Sequence, residues 1–262
     1  MCKCLQLSRS IYYYIHTRKD VDLELEEKIK QIFDDNRKVY GSRKIKKALF
    51  AENIIVSRRK IGRIMKKLGL ISIYTLSHYK HSKKQCNNDE TGNLLNREFD
   101  GQSPYAAVVS DLTYVRVDNK WHYICILLDL HNREIIGHSV GAKKDASLVH
   151  CAFSSIKTSL QKICMFHSDR GNEFKNKLIE DVISTFGIKR SLSNKGCPYD
   201  NAVAESTFKI IKTELCFGKK FKDINHLKME VSQYVFWFNN KRLHGSLNYM
   251  SPIQYRKISS SL

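Results

Sequence analysis

Asp111, Asp169 and Glu205 are the residues whose types and settings could do chemistry. They lie in Val109-Ser110-Asp111-Leu112-Thr113-Tyr114-Val115, in His167-Ser168-Asp169-Arg170-Gly171 and in Asp200-Asn201-Ala202-Val203-Ala204-Glu205-Ser206. The last two acids are separated by 35 residues. Three carboxylates, each in a distinctive local setting, are what a site holding two divalent cations for phosphodiester chemistry requires. Hard cations such as Mg²⁺ take oxygen ligands, and a close metal pair clamps both the attacking and the leaving oxygen. The chain carries 26 Asp and Glu in all, so acids alone single out nothing. The flanking sequence has to do that.

Those flanks run in a definite order. Tyr40-Gly41-Ser42-Arg43-Lys44-Ile45 is followed by Asn93-Leu94-Leu95-Asn96-Arg97-Glu98-Phe99, then by the phrases around Asp111 and Asp169. Ser193-Asn194-Lys195-Gly196-Cys197-Pro198-Tyr199-Asp200-Asn201-Ala202 leads into Glu205-Ser206 and Lys212-Thr213-Glu214. Phe238-Asn239-Asn240-Lys241-Arg242-Leu243-His244 and Ser251-Pro252 close the set. Over nearly its whole length the chain resembles the B-frame transposase of IS3-type insertion sequences, within the DDE transposase and retroviral integrase superfamily. The resemblance implies a DNA transposase that cleaves element ends and joins them to target DNA. Asp111, Asp169 and Glu205 would be its catalytic carboxylates and its ligands for two Mg²⁺ or Mn²⁺ ions. It also implies double-stranded DNA as partner, a homo-oligomer in the DNA complex, and an upstream-frame protein or a frameshift fusion to it. The start at Met1-Cys2-Lys3-Cys4 then looks like the truncated downstream product. Two departures stand out: Val108 and Val109 where a Trp is common, and Glu173-Phe174 for the usual polar-aromatic pair. Neither touches a carboxylate.

Elements must position these acids. Ala106–Val117 and Trp121–Leu130 read as strands around an Asp118-Asn119-Lys120 turn, with Glu134–Gly141 as a third. A helix over about Ser147–Leu160, a strand at Cys164–His167, a helix near Lys177–Phe186 and a strand at Lys189–Leu192 follow. Asp111 then falls mid-strand, where a carboxylate is costly unless paired or metal-bound. Asp169 directly follows the fourth strand. Asp200 or Asn201 opens the helix carrying Glu205, on which Asn201, Glu205, Lys209 and Lys212 share a face. Lys209 and Lys212 are therefore expected on DNA, and Asn201 and His167 beside the metals or facing DNA. Trp237, Phe238, Asn239, Arg242 and His244 read mainly as structure, with Arg242 a candidate phosphate contact. Periodicity alone gives α/β with a mixed sheet; the resemblance implies the ribonuclease-H-like fold, flanked by helices.

Upstream, a helix over Val21–Asn36 buries Leu25, Ile29, Ile32 and Phe33. A second starts at Gly41-Ser42, and a third is capped by Ser57 and ended by Gly69. Residues 40–67 hold ten Lys and Arg against one acid, Glu52. This small all-α segment reads as helix-turn-helix-like, with Arg58, Arg59, Arg63 and Lys66 expected on DNA. The organisation is an N-terminal helical segment over 1–20, the DNA-binding domain over 21–71, a polar linker over 72–105, and the catalytic core with a C-terminal helical extension over 106–262. Leu94, Leu95 and Phe99 of the linker are expected to dock on that core, and Tyr12-Tyr13-Tyr14 to pack at a helix end rather than act as nucleophiles.

Net charge is +19, and both halves share the excess: 22 basic against 12 acidic residues over 1–100, and 23 against 14 beyond. A polyanion partner follows, with phosphate contacts dominating affinity. The eight cysteines include no Cys-x-x-Cys, which removes the spacing support for a zinc site and points to reduced core thiols. No run of 18 apolar residues and no signal-peptide core occurs, so a cytoplasmic protein without membrane partner, acting at the bacterial nucleoid, is expected. Two other readings share the composition. One is a ribonuclease-H-like nuclease without strand transfer, and the other a catalytically silent DNA-binding regulator.

Overall fold

Leu25, Ile29, Ile32 and Phe33 recur at helical spacing, and all four are buried. They lie on α1 (Val21–Asp35) of the computed structural model, which describes residues 8, 21–76, 92–174, 176–194 and 198–259. The segment expected over 1–20, with Tyr12-Tyr13-Tyr14, lies outside the described residues apart from Ser8. The chain divides into two units, Met1–Ser72 and Ile73–Leu262.

In the first unit, α2 (Ser42–Ala51) and α3 (Arg58–Lys67) complete a three-helix cluster with α1. Ile45, Leu49, Ile61, Ile64 and Met65 join its core. Ser57 caps α3, its hydroxyl accepting from the Lys60 N–H at 3.2 Å. At the other end the Leu70 N–H closes back on Met65 O at 2.8 Å, which needs the positive φ of 65° that Gly69 supplies. Lys67 pairs with Glu26 at 2.5 Å, tying α3 to α1.

The second unit opens with the single turn α4 (Ile73–Leu76) and is built on a five-stranded sheet. β1 (Ala107–Val117), β2 (Lys120–Asp129) and β3 (Ile135–Gly141) form an antiparallel meander. β4 (Met165–Ser168) and β5 (Lys189–Leu192) add in parallel, giving the order β3-β2-β1-β4-β5. Lys120 pairs with Val117, so the hairpin loop is Asp118-Asn119 alone, both at positive φ (44° and 60°) as a two-residue primed turn requires.

Alternation then sorts the strands by face. Val108, Leu112, Cys125 and Leu127 point one way, into a core with α5 (Ala146–Ser154) and α6 (Lys177–Thr185). There α5 lies so close to β3 that a Cβ added at Gly137 would sit 2.6 Å from the Ala152 carbonyl oxygen. Helix α5 stops at Ser154, short of the expected Leu160. Ser155 Oγ turns back to the Ala152 carbonyl at 2.7 Å and accepts from the His138 N–H at 2.8 Å, competing with further helix. Val109, Val115, Ile124, Ile126 and Leu128 are buried on the opposite face. There α7 (Ala202–Ile211) packs on β1 and α8 (Ile224–Asn240) on β3. Asn239 clips α8 to β3 by two 2.9 Å bonds with the Ile135 backbone, and α9 (Pro252–Ser259) packs on α8. A mixed sheet with helices on both faces is the expected ribonuclease-H-like arrangement.

The stretch expected as linker enters this core before its end. Leu94 and Leu95 N–H groups donate to Ser191 Oγ of β5, and Gly92 O accepts from Leu192. Leu95 is buried, whereas Leu94 points outward and Phe99 is half-buried.

Candidate active site

The register of two parallel strands places the first two acids. Val109 pairs with His167 and Ser110 with Ser168, so Asp111 and Asp169 stand at the next step of the ladder, where strands run ~4.8 Å apart. Alternation puts both on the face that α7 covers. Asp111 is buried, one carboxylate oxygen accepting from the Leu112 N–H at 2.7 Å. Asp169 is half-buried just past the end of β4, with Oδ1 accepting from the Gly171 N–H at 3.1 Å. Glu205 lies in the first turn of α7 and is exposed.

What fixes the start of α7 is a set of polar ties. Asn201 Nδ2 donates to Ser110 O at 3.2 Å, fastening the helix entrance to the residue before Asp111. Asp200 accepts from Arg97 at 2.6 Å and from the Asn194 N–H at 2.9 Å. Arg170 Nε reaches Ser193 O at 2.8 Å. Loops that follow β4 and β5 are thereby held together beneath the carboxylates.

Two expected contacts are corrected by burial. Asn201 is 3% exposed, so it serves the sheet rather than DNA; among the described residues its buried Oδ1 has no hydrogen-bond partner. His167 is fully buried and does not face DNA, since its ring nitrogens are taken by Ser191 Oγ at 2.8 Å and Ser193 Oγ at 3.2 Å. Burial holds its pKa down to about 4, so the imidazole is neutral and braces β4 against β5. Lys209 is exposed on α7, and Lys212 is half-buried with its ammonium 4.5 Å from the Tyr114 ring centroid.

Sequence reasoning passed over a buried centre on this same side of the unit. After Ile211 the helix continues as a π-turn, Lys212–Cys216, and the extra residue per turn swings Glu214 inward, where it is 2% exposed. Arg242 Nε and Nη2 grip its carboxylate at 2.8–3.0 Å, and the hydroxyls of Tyr74 and Tyr234 also donate to it. Arg242 therefore pairs with a carboxylate and is not available to phosphate. The signal was present in Lys212-Thr213-Glu214 and in Arg242, but nothing local joined them. Glu173 is likewise buried. It pairs with Lys144 at 3.0 Å and fills the space where a Cβ on Gly171 would go.

In the first unit Arg58, Arg59, Arg63 and Lys66 are all exposed. Arg59, Arg63 and Lys66 fall on one stripe of α3, opposite the buried Ile61, Ile64 and Met65.

Among the described residues no three His, Cys, Asp or Glu side chains are already gathered to hold a metal ion, and no helix is long and apolar enough to cross a membrane. An HTH-like domain model matches residues 20–77, and integrase core domain models match 101–198 and 205–259. The chain is 30% identical over 256 residues to the protein assigned as transposase for insertion sequence element IS986/IS6110 of Mycobacterium tuberculosis, covering 92% of each. To the transposase for element IS904 of Lactococcus lactis it is 29% identical over 248 residues, covering 93% of this chain and 98% of the relative. Among solved structures it is similar to a chain of the simian T-cell lymphotropic virus intasome in complex with PP2A regulatory subunit B56 gamma. There the TM-score is 0.51 at 12% identity, over 80% of this chain and 69% of that one.

Proposed function

The chain belongs to the IS3-type family of insertion-sequence transposases, and from that premise we propose that Asp111, Asp169 and Glu205 are its catalytic, metal-holding carboxylates. Its activity is DNA transposition by a DDE-type core, which makes it a polynucleotidyl transferase. The observation that carries the residue assignment is positional. Two parallel strands bring Asp111 and Asp169 to the same ladder step on one sheet face, and the helix packed on that face carries Glu205.

An integrase-type core works with divalent metal, and the donor set here suits a hard cation: carboxylate oxygens, with His167 already engaged by two serines. The buried Asn201 Oδ1, without a partner among the described residues, is an acceptor that an ordered water at the site would satisfy. We assign two ions, Mg²⁺ or Mn²⁺, to Asp111, Asp169 and Glu205. When bound, such a pair lowers the cost of generating the attacking oxygen and of releasing the 3′-oxygen. The protein's own part is positioning. Leu112 and Gly171 N–H groups each fix one carboxylate oxygen, of Asp111 and Asp169 respectively, and so set the orientation of both side chains. Water attack breaks one P–O bond and frees a 3′-hydroxyl; that hydroxyl then exchanges one phosphodiester for another, so strand transfer needs no outside energy source. Lys209 and Lys212, following Glu205 along the helix, would hold the phosphates flanking the scissile bond.

The exposed stripe on α3 supports double-stranded DNA as the partner of Arg58, Arg59, Arg63 and Lys66, with residues 21–71 as the end-binding domain and 106–262 as the core. We extend this to a homo-oligomer on DNA, to pairing or fusion with an upstream-frame protein, and to action in the bacterial cytoplasm. The test is metal-dependent cleavage and joining of element-end DNA. Asp111→Asn, Asp169→Asn and Glu205→Gln should each lower both steps by at least about a thousand-fold, while DNA affinity persists because removing negative charge does not weaken attraction to phosphate. Near-normal cleavage by any of the three would remove that residue from the site.

A further inference from the structure

Past Ser110 no described strand pairs with β1 on its β4 side, and the β1–β2 hairpin runs on beyond the site. At that end Tyr114 and Trp121 remain 44% and 53% exposed, their rings perpendicular with centroids 5.1 Å apart. Large apolar surface left open at a sheet end calls for a partner. Its surroundings specify the partner's chemistry. Lys212 lies over the Tyr114 ring at 4.5 Å, and the exposed Arg116 stands opposite Trp121 in the ladder. Lys120 is exposed at the adjoining turn.

We propose that Trp121, braced by Tyr114 and flanked by Lys212 and Arg116, is a stacking platform for an unpaired nucleobase of the DNA held at Asp111. Aromatic faces accept any base, and interleaved cations hold the backbone that carries it; this combination marks single-strand binding surfaces. A protein or lipid partner fits less well, because the cations surround the rings in a chain of net charge +19. Distance agrees as well. Tyr114 is three residues beyond Asp111, ~10 Å along the strand, and alternation turns it to the other face of β1. With no β4 neighbour there the edge is open, and Lys212, which follows the helix on the Asp111 face, reaches its ring across that edge. A base that has left the duplex near the scissile phosphate would thus meet the rings, and its stacking would offset part of the cost of opening the DNA end. The inference rests on the proposed function, with Asp111 marking where the DNA is held.

The test is binding of the full chain, without divalent metal, to a mixed-sequence duplex with or without a short single-stranded tail at one end. Wild type should prefer the tailed duplex by roughly ten-fold, the scale of one stacked base. Trp121→Leu should reduce that preference to near one, and Tyr114→Leu should reduce it partway. Trp121→Phe, which keeps an aromatic face, should retain most of it. Both rings are exposed, so melting temperatures of all variants should match wild type and exclude a folding defect. Absence of the preference in wild type, or its persistence in Trp121→Leu, overturns the platform. Metal plays no part in the assay, so its outcome is independent of whether Asp111→Asn abolishes cleavage.

Discussion

Glu214 and Arg242 bury a complete ion pair in which Tyr74 and Tyr234 satisfy the remaining lone pairs of the carboxylate. The environment raises the pKa of both tyrosines, first through burial and then through the Glu214 charge, so they stay protonated as donors. Such a pair adds little beyond an apolar core of equal volume, yet breaking it leaves an uncompensated buried charge. Arg242→Met should therefore cost about 3–5 kcal/mol in denaturant unfolding, while the Glu214→Met/Arg242→Met double variant should cost less than the two singles added. Additive costs would mean that the pair is not coupled. Individual residues show what a sequence does and does not disclose. Asp111, Asp169 and Glu205 stood out because each is embedded in a distinctive phrase. Arg242 read mainly as structure, which its burial bears out, but phosphate stayed a candidate because its true partner lies 28 residues away and only the folded chain brings them together. The DNA-facing alternative for Asn201 and His167 failed for a related reason. They neighbour the carboxylates in sequence, but Asn201 is tied to Ser110 of β1 and His167 to Ser191 and Ser193, and covering is a tertiary property.

At the scale of elements, the helix and strand periods were legible because each amphipathic segment has one covered face. Boundaries moved where a side chain competed with the backbone, as at Ser155, and the π-turn had no local signature at all. Lys212, seven residues after Glu205, is half-buried, while the next residues of the turn point inward, so a partly exposed lysine and a buried glutamate lie two positions apart. Helix α3 makes a simpler division. Its stripe of Arg59, Arg63 and Lys66 sits opposite a fully apolar side, so removing the charges should leave the three-helix core intact. Arg59→Ala/Arg63→Ala/Lys66→Ala should then weaken DNA binding and flatten its dependence on salt. The slope of log affinity against log salt should fall by up to about 0.9 for each phosphate that these side chains neutralise in wild type. An unchanged slope, with an unchanged melting temperature, would show that this stripe is only solvated.

For the whole molecule, a net charge of +19 surrounds a site whose chemistry needs cations among carboxylates. The background field repels the metals and attracts the DNA, so the two ligands should help each other. Phosphate oxygens can complete a coordination shell that the described residues do not preassemble, and a bound metal would offset repulsion between carboxylate and phosphate. Coupling of this kind is reciprocal: the factor by which metal tightens DNA equals the factor by which DNA tightens metal. With Ca²⁺ as a hard, oxygen-seeking probe, element-end DNA should bind wild type at least roughly ten-fold more tightly than in chelator, about 1.4 kcal/mol of coupling. A separate Ca²⁺ titration of the chain with and without DNA should return the same factor. In Asp111→Asn both factors should fall toward one, because the shared ligand is gone, whereas affinity for DNA in chelator should hold or rise. Equal coupling in wild type and Asp111→Asn would place the metal elsewhere on the DNA complex and detach Asp111 from it.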